Sequence, residues 1–135
     1  MPNCFGFIVL DKQNKKTILV ETPDKYLSFP KGKYEKKKDK SYLDCAIREL
    51  FEETGICIDM VKIIPELILS EITPKGNCNI QYFVCDFDST FNKFTFDPEE
   101  IKSVKWYGFE EINILSNLKQ ERKDIFNNLL NILNY

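Results

Sequence analysis

Apolar positions along the chain switch between two periods, and the switches mark its elements. Residues 4–10 (Cys-Phe-Gly-Phe-Ile-Val-Leu) and 17–21 (Thr-Ile-Leu-Val-Glu) are rich in β-branched and aromatic side chains around a polar turn at 11–16. They predict two strands. Residues 26–30 predict a short extended piece closed by Pro30 and Gly32. A lysine-rich loop follows, and after it comes the clearest helical pattern in the chain. Ser41 can cap that helix, with Asp44 three residues on completing a capping-box pattern. Leu43, Ala46, Ile47 and Leu50 recur at helical spacing, and Gly55 supplies the left-handed stop.

Beyond Gly55 the short period returns. Runs at 56–58, 63–72, 80–87 and 101–107 predict strands, and Pro65 inside the second predicts an edge position or a bulge. Residues 119–133 predict a closing amphipathic helix, with Ile125, Phe126, Leu129, Leu130, Ile132 and Leu133 available for burial. No repeat, linker or low-complexity tail interrupts the pattern. The expectation is an α/β domain, a mixed sheet packed by at least two helices, spanning residues 1–135.

Composition then sets limits. A chain of 135 residues can bury a core without staples, and 43% apolar with 30% charged residues is ordinary for a globular protein. The net charge of −2 gives no long-range attraction to nucleic acid, and no DNA partner is expected. Cys4, Cys45, Cys57, Cys78 and Cys85 are odd in number and contain no C-x-x-C pair. They predict reduced, mostly buried thiols rather than a disulfide framework or a zinc site. The apolar start lacks a basic lead and a small-residue cleavage site, and no run is long enough to cross a bilayer. The expectation is therefore a soluble, cytoplasmic protein without a membrane partner. Histidine is absent, so acid–base or metal chemistry falls to carboxylates, lysines or tyrosines.

Glu49, Glu52 and Glu53 stand at i, i+3 and i+4 of the predicted helix. At about 100° per residue they cover an arc of about 100°, opposite Leu43, Ile47 and Leu50. Like charges at that spacing destabilise a helix by roughly 0.2–0.5 kcal/mol per pair. A divalent cation would turn the repulsion into coordination. A lone E-x-x-E-E is most often a solvated acidic face, and the flanking sequence decides against that here.

From Gly32 through Arg48-Glu49-Leu50-Phe51-Glu52-Glu53-Thr54-Gly55-Ile56 the chain resembles the Nudix box, G-x5-E-x7-R-E-U-x-E-E-x-G-U, with U aliphatic. The match over residues 48–56 is complete. Two departures precede it. Gly32 and Arg48 are sixteen positions apart rather than the motif's fourteen, and the expected first glutamate falls on Lys40 counting back or Lys38 counting forward. Asp39 or Glu35 is left as the partner of Arg48. The string Ser28-Phe29-Pro30-Lys31-Gly32-Lys33 with Cys45-Ala46-Ile47-Arg48-Glu49 is most similar to the mRNA-decapping branch. Diadenosine tetraphosphate and diphosphoinositol polyphosphate hydrolases are relatives of the same design. Decapping enzymes add an N-terminal regulatory domain and a C-terminal RNA-binding extension, for which this chain has no room.

The resemblance implies a Nudix fold and magnesium-dependent hydrolysis of a phosphoanhydride in a nucleoside diphosphate linked to another group. Capped mRNA is one such substrate, and a dinucleoside or diphosphoinositol polyphosphate is the alternative. A non-catalytic nucleotide- or RNA-binding module is the alternative of another class. The implied metal ligands for Mg2+, or Mn2+, are Glu49, Glu52 and Glu53. Gly32, Arg48 and Gly55 are structural. The proton-accepting carboxylate comes from the box, as Glu53 or Glu52, or from a later loop, as Glu99 or Glu100. Lys31 and Lys33 lead a run with Lys36, Lys37, Lys38 and Lys40 against only Glu35 and Asp39, which suits a partner rich in phosphate. Tyr26, Tyr82, Phe83 and Tyr107 are available to stack on a base.

Overall fold

The computed structural model describes residues 2–76 and 78–135, and of Cys78 the backbone alone. The thiol of Cys78 therefore lies outside the described residues. Seven strands and two helices follow in the order β1 (Cys4–Asp11), β2 (Lys16–Glu21), β3 (Leu27–Ser28), β4 (Lys31–Lys33), α1 (Tyr42–Thr54), β5 (Lys62–Ile72), β6 (Cys78–Asp86), β7 (Ser103–Gly108) and α2 (Gln120–Ile132).

β1 is the central strand, and its two edges are used differently. One edge pairs in parallel with β6 from Cys4–Ile80 to Leu10–Asp86. The other edge is divided: β4 takes Cys4 to Gly6, and β2 takes Leu10 and Asp11, both antiparallel. β2 then continues away from β1 between β7 and β3. Alternation on β1 sorts the core into two layers. Phe5, Phe7 and Val9 pack with Ala46 and Leu50 of α1, while Ile8 and Leu10 pack with Phe126 and Leu129 of α2. The mixed sheet between helices expected from the sequence is the structure found.

β5 closes the sheet beside β6, and Pro65 does what its missing N–H requires. Strand pairing breaks between Ile63 and Ile68, and Glu66 takes a left-handed φ of 64°. Both an edge and a bulge result.

Four expectations need correction. Residues 56–58 are not a strand: Ile56 plugs the core after Gly55, and Ile58–Met60 is a 3-10 turn. Residues 31–33, expected as loop, form β4, because pairing with β1 overrides the poor strand propensity of Lys-Gly-Lys. Ile132 is 50% exposed, since α2 presents Ile125, Phe126 and Leu129 to the sheet. Cys57 is exposed, and only Cys45 and Cys85 of the described thiols are buried. Among the described residues no helix is long and apolar enough to cross a membrane.

Candidate active site

Two short approaches of backbone to side chain assemble the box. At Gly6 the chain crosses β1 so closely that a Cβ there would overlap the Pro30 carbonyl and lie 2.8 Å from Lys31 Cα. This crossing carries β4 against α1. The Lys31 N–H then donates to Glu53 Oε1 at 3.2 Å, and Gly32 faces Glu49 so tightly that a Cβ would overlap its carboxylate. The caps of α1 fix the register of that contact. Ser41 Oγ accepts the Asp44 N–H at 3.0 Å, worth about 1 kcal/mol, and Gly55 takes φ 81° as the C-cap.

Arg48 is the hub of the site. Its Nε and Nη2 donate to the two oxygens of Asp39 at 2.8 and 2.9 Å. Nη1 donates to Glu49 at 3.0 Å and Glu52 at 2.8 Å, and Nη2 reaches the Lys33 carbonyl at 3.0 Å. Glu35 lies 3.3 Å from Nη1, in the weaker position. Asp39 thus occupies the place of the first box glutamate, and the lengthened loop folds back to deliver it. A further bond from the Glu35 N–H at 2.8 Å pins that carboxylate, which is buried. The guanidinium holds the Asp39 carboxyl down at about 2.

The glutamates behave differently. Burial, then the charge of Glu52, pushes Glu49 above the usual carboxylate range. Burial pushes Glu53 further, to about 8, against the Lys31 N–H that favours its charged form. Glu52 is the most open, with 42% of its side chain exposed, and it leans on Arg48. Among the described residues no three acidic or thiol side chains close around one point as a finished metal cage. The donor chemistry nevertheless fits a hard cation. Glu49, Glu52 and Glu53 are carboxylates on one helix face, and the repulsion acting on Glu49 and Glu53 is what a divalent ion relieves.

The remaining sequence candidates separate. The negative charge of Glu100 is felt, weakly, at both Glu49 and Glu53. Glu99 is exposed, its N–H bonded to Asp97 at 2.9 Å. Lys31 is half-buried beside Glu53, whereas Lys33, Lys36, Lys37, Lys38 and Lys40 are exposed. Tyr82 is fully buried and offers no stacking face, while Tyr26 is 45% exposed with Lys119 Nζ 5.6 Å from its ring centre.

A carboxylate-faced helix entered from a Pro-Lys-Gly strand, on a mixed sheet between two helices, is the small α/β architecture that the box motif implies. The chain belongs to the NUDIX domain family, whose description matches residues 2–129. Among curated proteins it is 31% identical over 112 residues to the mRNA decapping complex subunit 2 of Schizosaccharomyces pombe, covering 79% of this chain and 14% of that protein. It is 31% identical over 122 residues to an mRNA-decapping protein of African swine fever virus, covering 79% of this chain and 48% of the other. The chain therefore spans between about a seventh and a half of the length of these relatives. An Ap4A hydrolase of C. elegans, solved as a binary complex, superposes with a TM-score of 0.80 at 16% identity, over 97% of this chain and 98% of that one.

The contact between Gly32 and Glu49 makes a prediction. Gly32→Ala displaces only the tip of a side chain, so the fold should persist with little change in melting temperature. Affinity for Mn2+, followed by electron paramagnetic resonance, should fall about tenfold, equivalent to about 1.4 kcal/mol. Unchanged affinity would show that Glu49 does not hold the ion.

Proposed function

We propose that this domain is a magnesium-dependent hydrolase of a phosphoanhydride bond in a nucleoside diphosphate linked to another group, and that capped mRNA is its substrate. The observation that carries the reading is the intact glutamate face of α1, fitted against Lys31 and Gly32. A binding module that had given up catalysis would have no need to keep three mutually repelling carboxylates there. The decapping names of the curated relatives support the substrate.

Glu49, Glu52 and Glu53 would hold the ion, Glu52 by turning from Arg48. Magnesium, when bound, neutralises phosphate oxygens and acidifies water. The chain supplies the rest. Lys31 and Lys33 draw the phosphate chain towards the helix face. The proton falls to a carboxylate, either Glu53 or Glu100, the latter's charge being felt at Glu53. Asp39 keeps Arg48 in place, and Arg48 Nη1 bridges Glu49 and Glu52.

The test compares capped RNA, free cap dinucleotide and diadenosine tetraphosphate, with magnesium and with EDTA, by the masses of the products. Capped RNA should react fastest, release a diphosphate-bearing cap, and lose rate most steeply with salt, because the lysine run meets successive phosphates and releases counterions. Efficient cleavage of the dinucleotides beside intact capped RNA at low salt would replace this reading with dinucleoside polyphosphate hydrolysis.

A further inference from the structure

The segment that leads to Lys31 and Gly32 is held from behind, at Leu27 of β3, by charges that the proposed chemistry leaves unused. Arg122 on α2 is 7% exposed and Glu71 on β5 is 6% exposed. Arg122 Nε donates to Glu71 Oε1 at 3.1 Å, and its Nη1 donates to the Leu27 carbonyl at 2.8 Å. The buried Tyr82 hydroxyl donates to the same Glu71 oxygen at 3.1 Å. The Leu27 N–H, in turn, donates to the Asn117 carbonyl at 2.8 Å, just ahead of α2. Both backbone groups of Leu27 are therefore fixed to the far side of the molecule from α1.

Little slack separates this anchor from the site. Three residues, at most about 10 Å of chain, lead from Leu27 to Pro30. There the Pro30 carbonyl accepts the Phe7 N–H at 3.0 Å, and the next N–H, that of Lys31, reaches Glu53. Gly6 leaves no space for the crossing to shift towards β1. A buried ion pair is weak evidence of a contribution to stability, since an apolar pair of similar volume often serves as well. Its position, on the carbonyl that starts this segment, is informative.

We propose that Arg122 and Glu71 are positioning residues, which fix Leu27 so that the Lys31 N–H meets Glu53 and Gly32 seats against Glu49. The inference depends on the hydrolase reading only for its effect on turnover. Arg122→Met alone leaves the buried Glu71 without its cation, with the Tyr82 hydroxyl as its remaining donor, and should lower the melting temperature. Adding Glu71→Leu should restore part of that loss, less what the buried Tyr82 hydroxyl forfeits with its acceptor. Positioning would not return with it. In the double variant, free of metal and substrate, amide exchange at Lys31 and Phe7 should run at least about tenfold faster than in the wild type, with the other amides of β1 and α1 unchanged. Turnover of the best substrate should fall about tenfold with KM within about twofold, the mark of an interaction used in the transition state. Arg122→Lys keeps the charge but not the planar fork that serves two acceptors, so the same amides should exchange faster at a near-normal melting temperature. That variant decides the matter if the double variant does not fold cooperatively. Wild-type exchange at Lys31 and Phe7 in either folded variant would overturn the proposal. A wild-type protein that hydrolyses nothing would remove the hydrolase reading, and the exchange result would stand on its own.

Discussion

Glu53→Gln is expected to lower turnover about a thousandfold, roughly 4 kcal/mol of barrier, while the protein stays folded. The side chain is largely withdrawn from water and accepts the Lys31 N–H, so an amide of the same shape can keep that bond through its oxygen. What glutamine cannot supply is the negative charge for a cation or the site for a proton. Glu52→Gln should fall by a similar factor, for the first of those reasons alone. Its side chain is more open, and its partner is Arg48 Nη1 rather than the Lys31 N–H. Steady-state rates on the best substrate, with circular dichroism as the control for folding, check both. Two variants with wild-type rates would remove the proposed site.

Asp39→Ala should cost about 2 kcal/mol of stability and loosen the loop that follows β4. The loss is moderated because Arg48 keeps Glu35, Glu49 and Glu52 as partners. The effect has a pH signature. A carboxyl held at about 2, against an ordinary 3.8, stabilises the fold fully above the ordinary value. That contribution fades as pH falls from about 4 towards about 2. Denaturant unfolding of the wild type and of Asp39→Ala should therefore differ at pH 7 and converge in that acid window. A constant gap across it would mean that Asp39 contributes by something other than its charge on Arg48.

Local signals were the ones that the sequence expressed clearly. Ser41 and Gly55 bracket α1 as their chemistry requires, and the glutamate face follows from spacing alone. Pro65 marked the irregular edge strand for the same kind of reason. Features made by distant pairing were less legible. Lys31 to Lys33 has no strand character until β1 is beside it. Ile56 and Ile58 have the composition of a strand, but Gly55 turns the chain so that one fills the core and the other begins a 3-10 turn. Asp39 and Glu35 were both open as partners of Arg48, and the choice depended on how a lengthened loop returns. The pairing of Arg122 with Glu71 crosses 51 positions, and nothing near either residue announces it.

The end of α1 is also the fastening of a loop. Thr95 donates its N–H to the Thr54 carbonyl at 3.0 Å and lies against Gly55, while the Trp106 indole N–H holds the Phe91 carbonyl at 2.7 Å. Between those two fastenings, Asn92 and Lys93 are exposed. Residues added at 92–93 lengthen a surface tip. Residues added between Thr95 and Glu100 change where that carboxylate stands relative to Glu53, so under the proposed hydrolase reading the short stretch after Thr95 acts as a ruler.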